Sequence, residues 1–357
     1  MQKVIMWIMA LGAVAGGVDH IFGDRMGLGK KFENGFMLLG PTALSMAGII
    51  CLAPLLSGVL GPLVSPLFAR FGLDPAMLGS LLAIDMGGYQ MAMELCADKQ
   101  VGLFSGLIAG AVFGCTITFT IPVGVGMIES EDQQRFARGI LLGLIAMPAA
   151  LVAGGVCCGL SLGTTLFQSL PILLLCGLFL LGLIKIPHRM IHGFSIFALV
   201  IRTLTFVGLI LGAFQYMTGV ALVPGLAPLE DAMAVVASIG IVLLGSLPVA
   251  ELLQRLLHRP FAWFGQKIGV NETSVAGLLI SMVSVVPVFT MIKDMDTRGK
   301  VINVAFMVSA TAMLAAHLGF TAGVAPDLIP ALLVAKLSGS IAALGVALIA
   351  TRKDRGV

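Results

Sequence analysis

The chain has 357 residues, of which 58% are hydrophobic and only 11% charged, and its mean hydropathy is +1.06. A soluble domain carries about twice that charge fraction, so the composition excludes one and specifies a polytopic membrane protein. A net charge of +3, with basic residues scattered through short loops, excludes a nucleic-acid surface.

Apolar stretches of roughly the 20 residues that cross a bilayer fall at 4–23, 36–57, 101–127, 139–162, 168–186, 194–217, 232–252, 300–322 and 328–350. Lys3 ahead of the first run resembles a signal peptide, but no small-x-small cleavage site follows, so a first spanning helix is expected. Two more stretches, 75–94 and 273–293, are interrupted, the first by Gly87-Gly88 and the second by Val285-Val286-Pro287. Glycine weakens a helix, and proline removes one of its hydrogen bonds. The fold expected is all-α: about nine spanning helices plus two interrupted or re-entrant segments, in a single transporter domain over 1–357.

Loop charge bears on the two interrupted segments, because Lys and Arg collect on the cytoplasmic side. If both are hairpins, only Lys3, Arg70 and Lys99 lie outside, with Arg202 and Lys336 inside spans. If both cross, the bias vanishes. A weak internal repeat points the same way: Glu33-Asn34-Gly35-Phe36-Met37 resembles Glu230-Asp231-Ala232-Met233-Ala234, and the interrupted segments start a similar distance apart. Pseudo-repeats 1–162 and 194–350 of opposite orientation, joined by helix 168–186, are the expectation, as in transporters whose interrupted helices meet at the midplane.

Within the first interrupted segment, Leu81-Leu82-Ala83-Ile84-Asp85-Met86-Gly87-Gly88-Tyr89 carries one carboxylate at membrane depth. Such a group is costly and faces protein or water with a task. Asp85 would supply charge to a cation, the backbone at Gly87 and Gly88 its carbonyls, and Tyr89 a hydroxyl or a ring face. The plainer alternative is that Asp85 pairs with Arg202 or Lys336 and only holds helices together. The second interruption would add Ser284 and Thr290 hydroxyls from across the axis, or be no more than a proline kink.

Thr116, Thr118 and Thr120 are expected to bond their own helix backbone. His317, whose charge changes near neutral pH, and Asp19 are candidates for a coupling proton, with helix packing and an interfacial position as the alternatives. Asp296 and Arg298 form either a gate or part of a solvated cytoplasmic turn. The six cysteines show no metal-ligand spacing and read as small buried residues, so neither metal nor cofactor is expected. With no phosphate-binding GxxxxGK[ST] loop, no HExxH and no GxSxG, the chain reads as a secondary carrier of a small molecule in a lipid bilayer. A channel or facilitator is the nearest alternative, and an intramembrane enzyme a more distant one. Oligomeric state is not legible.

Several stretches together carry a family resemblance: Phe32-Glu33-Asn34-Gly35-Phe36, the Leu82 to Tyr89 run, Ser105-Gly106-Leu107-Ile108, Ile121-Pro122-Val123, and above all Met295-Asp296-Thr297-Arg298-Gly299-Lys300-Val301-Ile302-Asn303 with His317-Leu318-Gly319-Phe320. The chain resembles the EutH family, bacterial ethanolamine permeases. The resemblance implies inner-membrane uptake of ethanolamine, with Asp85 the partner of its ammonium group. Where it implies an acidic residue before His317 and carboxamides at the second interruption, this chain has Ala316, Ser284 and Val285, which leaves room for a related small amine or alcohol.

Overall fold

The structure, a computed structural model, describes residues 2–82 and 85–354. Ala83 and Ile84 and the side chains of Asp85, Pro187, His188 and Ile191 lie outside the described residues. The described chain is all-helical. Helices α1 (Gln2–Ile21), α2 (Gly29–Met37) and α3 (Leu39–Arg70) lead into a hairpin of α4 (Met77–Leu81) and α5 (Gly88–Leu95). A long segment, Lys99–Met127, follows; it comprises α6 (Lys99–Leu103), π-helical turns over Phe104–Gly114 and Thr116–Thr120, and α7 (Ile121–Met127). Then come α8 (Gln133–Cys157), α9 (Leu162–Lys185), α10 (Pro187–Thr218) and α11 (Leu229–Ile268). A second hairpin, α12 (Glu272–Ser281) and α13 (Val286–Met291), precedes α14 (Thr297–Ala310), α15 (Ala316–Val324) and α16 (Ile329–Ala350).

Among the described residues, eight helical stretches are long and apolar enough to cross a membrane. The ninth expected span, 300–322, is corrected: it is two helices, α14 and α15, separated at 311–315. Its hydropathy is continuous while its backbone is not, because Ala312 takes a left-handed conformation (φ 57°) that no α-helix accommodates. The spans at 36–57 and 232–252 are also longer than expected. α2 and α3 run almost unbroken from Gly29 to Arg70, and α11 continues to Ile268, so Arg255, Arg259 and Lys267 ride on a helix.

Both interrupted segments leave from and return to one end. Asp74 accepts hydrogen bonds from the backbone N–H of Ala76 (2.8 Å) and from Ala97 and Asp98 at the far end of the first hairpin (3.2 and 2.8 Å). In the second, Asp296 Oδ1 accepts from the Asn271 N–H (2.8 Å), and the Asn271 side chain donates to the Asp294 carbonyl (2.9 Å). Buried backbone groups must find partners, and these side chains supply them where each hairpin opens. The glycines of the first hairpin are not where α4 ends: α4 stops at Leu81, and Gly87 and Gly88 are helical. Gly88 instead lets the two arms touch: a Cβ on Gly79 would lie 2.6 Å from the Gly88 carbonyl oxygen.

The centre of the molecule is Lys99–Met127, whose most apolar window is 89% buried, against 17% for His192–Thr218. Around it pack α8, α14 and α16, while α1, α9 and α10 present apolar faces outward, as lipid-facing helices do. Helix pairs cross closely through glycine, most tightly against backbone at two places among the described residues. A Cβ on Gly48 of α3 would lie 1.7 Å from the Thr205 carbonyl of α10, and one on Gly245 of α11 would lie 1.9 Å from the Met9 carbonyl of α1. Without a hydrophobic force between helices in lipid, such close backbone packing is a main source of association.

Candidate functional site

Three interruptions meet the buried centre. Asp85–Gly87 forms a short 3-10 turn that packs against the π-helical stretch Phe104–Gly114 and against α3. Ser105, on that stretch, donates to the Ala76 carbonyl (2.6 Å) and holds the first hairpin to it. On the other side, the Leu314 N–H in the gap between α14 and α15 donates to the Met282 carbonyl at the tip of the second hairpin (2.9 Å). The two gaps of the C-terminal half are thereby tied into one unit.

A cavity of about 500 Å³ ends on that unit. It is lined by Ser284 and Val285 of the second hairpin, by Thr311, Ala312 and Ala316 at the α14–α15 gap, and by the polar Lys31, Asn34, Glu251 and Gln254. Lys31 and Arg255 both pair with Glu251, at 3.0 and 2.9 Å. Pairs this exposed contribute little stability, and they leave a positive balance beside the cavity.

The residues singled out in the sequence fall into three groups. Ser284 lines the cavity. Tyr89, on α5, is half-buried and sets its ring edge-on to Phe320 of α15 (centroids 5.6 Å apart, planes at 86°), which joins the first hairpin to the C-terminal half. His317 lies one turn before Phe320, is buried, and has Nδ1 3.1 Å from the Thr311 carbonyl. The backbone of Asp85 opens the 3-10 turn against the π-helical stretch, and its side chain is outside the described residues; among the described residues, none of the first hairpin lines the cavity.

A second group makes structural contacts at helix ends. Asp19 accepts from the N–H groups of Met26 (2.8 Å), Leu28 (2.8 Å) and Gly29 (3.0 Å) and so caps the start of α2. Asp296 caps α14 through the Gly299 N–H (2.9 Å) and also accepts from the Ser274 hydroxyl (2.7 Å). Arg298 is buried and turns toward the ends of other helices, donating to the Ile268 carbonyl, the Thr351 hydroxyl and the Leu348 carbonyl. Thr116 donates to Val112 (2.7 Å) and also across to Val308 of α14 (3.0 Å).

Thr290 stands apart. Its hydroxyl donates to the Pro287 carbonyl (2.7 Å), and it faces a smaller pocket with Glu129, Asp132 and Lys293. Ser284 and Thr290 thus line different cavities and are not brought together.

Sequence reasoning gave Lys336 and Asp132 no site role of their own. Lys336, fully buried on α16, donates to three carbonyls at the centre. Asp132 is buried and pairs with Lys300 (2.5 Å) and Arg135 (3.0 Å), tying the start of α8 to α14. The signal for Lys336 was present, a lone cation in an apolar run. Asp132 carried none, since it looked like any acidic helix start.

The family model for the ethanolamine utilisation protein EutH matches residues 1–350. A probable ethanolamine permease EutH of Listeria monocytogenes is 42% identical over 97% of this chain and 93% of its own. One of Salmonella typhimurium, also called a probable ethanolamine permease EutH, is 38% identical over 99% and 96%. An uncharacterized Bacillus subtilis protein, YxeR, is 39% identical over 97% and 94%. No solved structure matches.

Proposed function

The chain belongs to the EutH family of ethanolamine utilisation proteins, and from that membership we propose that it is a permease of the bacterial inner membrane that takes up ethanolamine or a closely related small amine. The observation that carries this reading beyond the family is the cavity ending at Ser284 and the α14–α15 gap. Ethanolamine at neutral pH is a small ammonium ion with one hydroxyl. It needs a carboxylate, a few carbonyl or hydroxyl acceptors and an apolar wall. The Ser284 hydroxyl and the carbonyls of the gap are assigned the polar contacts, and Val285, Leu243 and Phe119 the wall; Asp85, which is not among the lining residues, is assigned the ammonium on its sequence position alone.

The transport cycle proposed is alternating access between two inverted halves, 1–162 and 194–350. In support, the two glycine crossings recur at matching offsets: Gly48 and Gly245 differ by 197 positions (48 to 245), and their partners Gly12 and Gly208 by 196 (12 to 208). The two hairpin necks recur likewise, Asp74 with Asn271 and Asp98 with Asp296. Lys31 lines the cavity and lies, with Lys30, Arg255 and Arg259, on the side read as cytoplasmic from the distribution of basic loops; on this reading the conformation is the inward-open one.

Ser284→Cys, in a chain whose exposed Cys157 is replaced by Ser, tests the reading. A membrane-impermeant thiol reagent applied to inverted vesicles is expected to label the new cysteine, and ethanolamine to slow that labelling in a saturable way. Labelling indifferent to ethanolamine would remove the cavity from the transport path.

A further inference from the structure

Lys336 stands near the middle of α16 with no exposed surface. Its Nζ donates to the carbonyls of Ala111 (2.9 Å), Ser309 (3.2 Å) and Thr311 (2.8 Å). These oxygens come from two places where regular helix bonding lapses. Ala111 lies in the π-helical stretch, and Ser309 and Thr311 at the end of α14, where the last carbonyls of a helix lack intrahelical partners and carry the negative end of its dipole. A ring of carbonyls at an interrupted helix end is the environment that holds a coupling sodium ion in transporters with broken helices. Here a cation already sits in it, tethered to α16. Thr311 also lines the cavity, so this cation shares a peptide with the space where substrate is proposed to bind.

We propose that Lys336 is a built-in monovalent cation occupying a sodium-type carbonyl site, so that the protein works without sodium, and that removing its side chain turns the same carbonyls into a binding site for sodium or a small ammonium ion. Removing the ammonium takes a hydrogen-bond donor from each of these buried carbonyls, which is the driving force for a free cation to enter. The position that corresponds by the 196 offset of the three-residue turns Ser130–Asp132 and Pro326–Leu328 is Ile140, a buried core residue, so the first half carries no such cation there.

The test uses the purified full-length Lys336→Ala protein, with Lys336→Met as the variant that fills the space and leaves no room for an ion. Melting is followed in N-methylglucamine chloride, then with sodium chloride or methylammonium chloride at equal ionic strength. Lys336→Ala is expected to melt below the parent protein in N-methylglucamine and to regain stability saturably with sodium or methylammonium. The parent and Lys336→Met should show no such response to sodium. Absence of any saturable recovery, or failure of Lys336→Ala to fold even with methylammonium present, would overturn the proposal, as would sodium stabilising the parent. The sodium arm involves no amine and is independent of the ethanolamine reading. A parallel uptake arm rests on that reading: the parent should transport equally with and without sodium, and a strict sodium requirement would contradict it.

Discussion

Asp85→Asn is expected to abolish ethanolamine uptake while the protein still inserts and folds. Asparagine has nearly the shape of aspartate, so packing of the 3-10 turn Asp85–Gly87 against the π-helical stretch should survive. What is lost is the one negative charge in an otherwise apolar run. Removing one member of a buried, hydrogen-bonded charge pair costs about 2–5 kcal/mol, or roughly 30- to 4,000-fold in binding. Uptake of labelled ethanolamine at a concentration near the parent protein's half-saturation should therefore fall to background. Membrane yield and the elution profile in detergent should not change. If instead Asp85→Asn fails to accumulate but retains uptake per folded molecule, Asp85 holds helices together and does not carry the ammonium.

Gly48→Val and Gly245→Val should each eliminate folded protein, and to a similar extent. At each site the first added carbon meets a backbone oxygen of the crossing helix, Thr205 at 1.7 Å and Met9 at 1.9 Å. A backbone cannot rotate away as a flexible side chain can, so the helices must separate. Overpacking typically costs about 1–3 kcal/mol even where side chains can yield, and here the cost should exceed about 3 kcal/mol. Gly40→Val and Gly58→Val, on the same helix with open space around them, are the matched controls and should leave yield unchanged. Comparing detergent-stable protein across the four variants checks this; a folded Gly245→Val beside a lost Gly48→Val would count against equivalent crossings in the two halves.

How much of this was legible in the sequence differs by feature. Spans are written in hydropathy, which reports solvent and not backbone continuity. Hence 300–322 read as one helix although Ala312 breaks it with a left-handed backbone. The second hairpin was legible through loop charge, a property of the whole topology, whereas loop charge left the first open and only the weak internal repeat pointed to it. The location of their breaks was not, because Gly87 and Gly88 offer freedom that the chain uses for close packing of the arms. The partners of charged residues were least legible. Asp19, Asp296 and Arg298 stood out by type, but the backbone and hydroxyl groups they bond are brought together only by folding, at helix starts and ends. Lys336 shows the converse. One cation in an apolar helix was visible, but the carbonyls that receive it are 27 and 225 positions away.

The most direct measurement on the central claim is counterflow in proteoliposomes containing only the purified protein. Vesicles loaded with unlabelled ethanolamine should draw in labelled ethanolamine transiently above equilibrium. Initial rates should saturate with outside concentration, and Asp85→Asn vesicles should behave as empty ones. Entry that rises linearly with concentration, shows no overshoot and is accompanied by ohmic current would contradict alternating access and identify an open channel in its place.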